Sequence, residues 1–125
     1  MTVEIDLKVT PDKYLPHRYA GASGDFNPIH IDHDFAKQVG LPQNILHGLY
    51  TMAQVARACS QAAGSDPRAL RRLSVQFRGM GFPEKEIHVR GSQKEERDGT
   101  VLVDVVAEQD GNAIIRNAEA ELRAP

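Results

Sequence analysis

Val3, Ile5, Leu7 and Val9 alternate with Thr2, Glu4, Asp6 and Lys8 until Thr10-Pro11-Asp12 breaks the pattern. Apolar residues at a period of two predict a half-buried strand. From Tyr14 to Pro28 neither a helical nor a strand period is sustained, and Gly21, Ser23, Gly24, Asp25 and Asn27 predict a turn-rich connection. Asp32-His33-Asp34 precedes Phe35, Ala36 and Val39, with Gly40 and Pro42 behind, which predicts a short helix with an acidic start and a glycine stop. Between Gly48 and Ala63 the spacing turns helical, and Leu49, Met52, Ala53, Ala56, Cys59 and Ala63 predict the packing face. Ala53, Ala56 and Ala63 along that stripe predict a close approach to the sheet.

The remainder is strand-like. Leu73, Val75 and Phe77 alternate with Arg72, Ser74, Gln76 and Arg78, and Ile87 and Val89 begin a further strand after Pro83-Glu84-Lys85. Arg97-Asp98-Gly99 and Asp110-Gly111-Asn112 predict hairpin turns on either side of Val101 to Val106. In the last segment Ile114, Ala118, Ala120 and Leu122 share a face, with Arg116 opposing. Strand, loop, short helix, long helix and four strands make an α+β chain, and one antiparallel sheet covered by one long helix is the economical arrangement.

Composition narrows the function. At 125 residues the chain is read as a single domain, 1–125, large enough for a proper core. Fifteen Lys and Arg against 17 Asp and Glu leave a net charge of −2, which speaks against a nucleic-acid partner. Trp is absent, which removes most aromatic platforms for single strands. Cys59 is the lone cysteine, so an internal disulfide is excluded, and nothing near it in sequence marks it as reactive. No apolar run approaches the roughly 18 residues of a membrane span, and the start Met1 to Asp6 lacks leader character. The expectation is a cytoplasmic domain with no membrane partner.

One stretch is hard to explain by folding alone: Tyr19-Ala20-Gly21-Ala22-Ser23-Gly24-Asp25-Phe26-Asn27-Pro28-Ile29-His30-Ile31-Asp32. Asn27-Pro28 favours a tight turn, which can bring the Asp25 carboxylate and the His30 imidazole to one small volume. Two such groups can grip a water, one taking a proton while the other holds or delivers one. Gly24 lets the backbone pass closely, and Asn27 can cap the turn in a supporting role. Leu46-His47-Gly48-Leu49 opens the long helix, where the first N–H groups have no internal partner. A glycine there leaves the Gly48 N–H open to an oxygen acquiring negative charge. His47 is read as a structural hydrogen-bonding residue.

Gly24 to His30, followed by Leu46-His47-Gly48, resembles the MaoC-like dehydratase family, which includes the (R)-specific enoyl-CoA hydratases. Weaker similarity extends over most of the chain, including Phe77 to Pro83. The resemblance implies a hotdog fold, in which a curved antiparallel sheet of about five strands wraps a long central helix. It implies Asp25 and His30 as the catalytic pair and Gly48 as the oxyanion-hole glycine. The implied reaction is reversible hydration of a trans-2-enoyl thioester, carried on coenzyme A or acyl carrier protein, to an (R)-3-hydroxyacyl thioester. A homodimer with sheets joined edge to edge is implied, with no cofactor. Some members carry a helix hydroxyl about two turns after the glycine; here Val55-Ala56-Arg57-Ala58 has none, and Thr51 and Gln54 are the candidate substitutes.

Competing readings exist for the same residues. Asp25 and His30 could belong to a purely structural turn, and His30-x-Asp32-His33-Asp34 suggests a metal cluster. Adjacent His33 and Asp34 side chains diverge, however, and Asp32 suits a helix cap, so no metal is expected. Arg71, Arg72, Arg78 and Arg90 could receive phosphates but read better as a solvated strand face. At the level of the whole chain, the rivals are a non-catalytic hotdog subunit shaping an acyl tunnel for a partner and a hotdog acyl-CoA thioesterase. The Asp25/His30 pair argues against the former, and the lack of any Asp or Glu from Gly48 to Ala63 argues against the latter.

Overall fold

The N-terminal alternation produces strand β1, Glu4–Val9, with Ile5 buried and its neighbours exposed. The computed structural model describes residues 2–124; Met1 and Pro125 lie outside the described residues. Next comes helix α1, Leu15–Ser23, where the sequence pattern predicts only turns. Its start is set locally: Asp12 accepts from the Tyr14 N–H at 2.8 Å and pairs with Arg18, which holds its carboxyl below the usual range. Pro16 fits the first turn, where its missing N–H costs nothing. Gly24 stops the helix at φ +80°, its N–H returning to the Ala20 carbonyl at 2.8 Å. Only Pro16 and Ala20 are buried on this helix, too few for a periodic signal.

A second unpredicted helix, α2, is a single turn, Pro28–Ile31, capped by Asn27. Helix α3, His33–Gln38, follows the acidic start and is capped by Asp32, which accepts from the Phe35 N–H at 3.1 Å. The long helix α4 spans Gly48–Ala62, but its buried face differs from the predicted stripe. Thr51, Val55, Ala58 and Cys59 face the sheet, whereas Leu49 is 62% exposed, Ala53 exposed and Ala56 half-buried. Alanines surround this helix on all sides, so spacing alone could not phase it; the branched Val55 and the buried Thr51 mark the true inner face. Of the three predicted small contacts only Ala63, just beyond the helix, is buried.

Four strands complete the chain: β2 (Leu70–Phe77), β3 (Ile87–Arg97), β4 (Thr100–Gln109) and β5 (Asn112–Arg123). All pairs are antiparallel, in the order β1-β3-β4-β5-β2, so β2 leaves the helix for the far edge and pairs with β5. Both hairpin turns form as expected, with positive φ at Asp98-Gly99 and Asp110-Gly111. Helix α4 touches all five strands. A sheet of that width, at about 4.8 Å per strand, can do so only by curling around the helix. Register irregularities in β2, β3, β4 and β5 supply the bend. This is the hotdog arrangement. The core between helix and sheet includes Ile87, Val89, Val103, Ile115 and Leu122, all fully buried.

One buried polar side chain ties the β2–β3 connection down. Gln109 accepts from the Phe82 N–H at 2.8 Å and donates to the carbonyls of Phe82 and Lys85 at 2.8 and 3.0 Å. The Gly81 carbonyl in that connection accepts from the Leu46 N–H at 2.8 Å, which fixes the approach to α4.

Candidate active site

Asp25 and His30 come together where α1, α2 and the entry to α4 meet. Asp25 sits just past the Gly24 stop; its Oδ1 accepts from the Asn27 N–H at 3.2 Å, leaving Oδ2 free to turn towards His30. Asn27 caps α2 through its own Oδ1, which accepts from the Ile29 N–H at 3.2 Å. The short helix is stitched to the chain before α4: the Ile45 N–H donates to the Ile29 carbonyl and Asn44 Nδ2 to the His30 carbonyl. His30 Nδ1 lies 2.9 Å from the Ile45 carbonyl, which can only accept, so Nδ1 carries the proton. Nε2 then presents a lone pair, 3.7 Å from Asp25 Oδ2.

That distance is too long for a direct hydrogen bond and suits a shared water, about 2.8 Å from each group. His30 Nε2 and the Asp25 carboxylate both act as acceptors here, so such a water donates one hydrogen to each and turns a lone pair outward. His30 is buried except at this edge, while the Asp25 side chain is half open to solvent.

Helix α4 begins at Gly48, with His47 as its extended N-cap. Its first N–H groups point away from the helix body with no internal acceptor. A Cβ on Gly48 would lie 3.2 Å from the Phe77 ring, so the glycine allows that ring to pack across the helix start. His30, Gly48, Thr51, Phe77, Met80 and Ile114 help to line one mostly apolar cavity of about 170 Å³. Of the two candidate hydroxyl substitutes, Thr51 reaches this cavity, whereas Gln54 accepts from Arg57 at 3.2 Å. A wider depression lies on the sheet near β1, β3 and β4, but its His88 and Arg90 are already paired with Asp6 and Glu108.

His47 makes the structural hydrogen bond expected of it, to the Asp25 carbonyl, while its ring stacking and the placing of Tyr50 beside the pair carry no local sequence signal. His47, 3% exposed, stacks on His30 with ring centroids 3.9 Å apart, and Tyr19 of α1 packs against it in a tilted arrangement at 4.8 Å. Tyr50 meets Tyr19 edge-on, and burial pushes its phenol up, which keeps it protonated. The ligand atoms of Asp25, His30 and His47 lie within 4.8 Å of one another, close enough to hold a metal ion. His47 Nε2, however, is already engaged by the Asp25 backbone carbonyl at 2.9 Å. In the other suspected cluster, Asp32 serves as a cap and only His30 turns to the site.

Arg90 is held by Glu108 and Arg78 by Gln76, as a solvated strand face requires. Cys59 is fully buried, and burial pushes its thiol up to about 11. It should therefore resist a thiol reagent such as dithionitrobenzoate in native buffer and react at once in guanidinium; native-state labelling within minutes would contradict this packing.

Residues 1–113 match the family model described as MaoC like domain. The chain is 36% identical over 112 residues to the fatty acid synthase beta subunit hexB of Dothistroma septosporum, which covers 87% of this chain and 6% of that protein. It is 32% identical over 115 residues to the enoyl-CoA hydratase ChsH3 of Mycobacterium tuberculosis, covering 90% of this chain and 38% of that one. A solved structure described as a MaoC-like dehydratase superimposes with a TM-score of 0.91 at 31% identity, covering 98% of this chain and 39% of that chain. The chain thus spans well under half the length of each. No helix among the described residues is long and apolar enough to cross a membrane.

Proposed function

The chain belongs to the MaoC-like dehydratase family, and we propose that it reversibly adds water to trans-2-enoyl thioesters to give (R)-3-hydroxyacyl thioesters. The observation that carries this reading is the pair of free acceptors, Asp25 Oδ2 and His30 Nε2, 3.7 Å apart beside an apolar cavity. The water oxygen bonds to C3 of the enoyl group as Asp25 and His30 draw on its hydrogens. The C2=C3 π pair moves toward the thioester oxygen, where the Gly48 N–H receives the developing charge. The proton taken from the water then returns to C2 on the same face, so one water is consumed and the pair is restored. Dehydration is the same path reversed.

The acyl group enters the cavity edged by Phe77, Met80 and Ile114, while the carrier, coenzyme A or acyl carrier protein, stays outside. A second copy of the chain is the natural partner at the β2 edge of the sheet, where Phe77 and Met80 are 50% and 44% exposed. A tunnel-shaping role without chemistry gives no reason for the aligned acceptors, and α4 offers no carboxylate for thioester hydrolysis.

The test is a panel of trans-2-enoyl-CoAs of increasing length, starting from crotonyl-CoA, with loss of the conjugated absorbance as the readout and chiral analysis of the product. The expected result is hydration with an (R)-3-hydroxyacyl product. Release of free thiol without hydration, or a racemic product, would overturn the reading.

A further inference from the structure

We infer that His47 is a positioning residue for the proposed hydration, a single ring that holds Asp25, His30 and Gly48 in one geometry. That role presupposes the hydration chemistry proposed for the pair. His47 Nε2 meets the Asp25 backbone carbonyl at 2.9 Å, and since a carbonyl only accepts, Nε2 carries the proton. Its ring face lies on the ring of His30, 3.9 Å between centroids and 21° from parallel. As N-cap of α4, it is also bonded directly to Gly48. One residue therefore reaches the main chain of the acid and the face of the imidazole through its ring, and the helix start that presents the oxyanion donor through its backbone.

The hydrogen bond to Ile45 fixes only one direction of the His30 ring, leaving it free to rock about that bond. The stack removes that freedom, and Tyr19 packs against the His47 ring at 4.8 Å. Asp25 lies in the short connection between α1 and α2, and the His47 donor anchors its backbone there. His47 does not itself handle protons of the substrate. Its Nε2 is occupied, and its Nδ1 is buried with no hydrogen-bond partner among the described residues. That orphaned nitrogen is informative. A phenylalanine would offer a ring face without burying an unpaired acceptor, so ring packing alone gives no reason for histidine at this position.

Three variants separate the contributions: His47→Phe keeps the ring face and loses the donor, His47→Gln keeps a donor and loses the face, and His47→Leu loses both. With the full chain on crotonyl-CoA, His47→Leu should lower kcat by about 100-fold, with KM within about threefold. His47→Phe and His47→Gln should each recover part of that loss. If His47→Leu does not fold, as judged by circular dichroism, the Gln and Phe variants carry the test, each with kcat at least about 5-fold down. Wild-type kcat in the folded variants with only a lower melting temperature would overturn the inference, as would a change confined to KM. An inactive wild-type chain would remove the reaction and this role together; an active one indifferent to His47 would remove only the role.

Discussion

His30→Ala and Asp25→Asn should each reduce hydration of a trans-2-enoyl-CoA by about a thousandfold or more while the chain stays folded. General acid–base groups are worth about 10²–10⁴ in rate, and here one water must be oriented and deprotonated by the same two atoms. Asn at position 25 keeps an oxygen for the Asn27 N–H and an open, half-exposed location, so the local turn has no reason to break. The added amide hydrogens point a donor where the water needs an acceptor. Removing the imidazole costs the bond to the Ile45 carbonyl and half of the ring stack, on the order of 1–2 kcal/mol of stability. Because the two groups act as a unit, the double variant should be scarcely slower than either single one. Additive losses, or more than a tenth of wild-type activity in either variant, would show that they do not share the reacting water.

The residues of that pair were legible from the sequence because their neighbours are so constrained. Asn27-Pro28 sets a turn, Gly24 lets the backbone pass closely beside it, and Gly48 opens the long helix. Strands showed through wherever apolar and polar residues alternate, as in β1 and β2, and the turns at Asp98-Gly99 and Asp110-Gly111 announced both hairpins. Helix α1 was hidden for a physical reason: a helix that buries only Pro16 and Ala20 leaves no stripe to detect. The phase of α4 was hidden by the opposite condition, since small residues are compatible with burial on every side. His47 could not be read as more than a hydrogen-bonding residue, because its partners lie at Asp25, His30 and Tyr19, and no local period brings those together. Gln109 had the same invisibility, a polar residue ending a strand whose value lies in three bonds to the distant segment 82–85.

The curl of the sheet gives one missing methyl group a second large effect. Gly91 pairs with Ile5 on one side and Val105 on the other, in step with the buried Ile87 and Val89 of the same strand. A Cβ there would sit 2.1 Å from the Asp104 carbonyl oxygen and 3.0 Å from the Val105 Cα, so the obstruction is backbone, which cannot rotate away. Relief requires β3 and β4 to flatten, and flattening lifts the strands from the helix they enclose. Gly91→Ala should therefore lose about 3 kcal/mol, the upper end for overpacking, seen as a fall in the urea midpoint and about 10 °C in Tm. The same substitution at Gly21, inside α1 with open space around the new methyl, should instead gain up to about 1 kcal/mol from helix propensity. If the two alanines shift stability alike, the close approach of β4 to Gly91 does not constrain how the sheet packs on the helix.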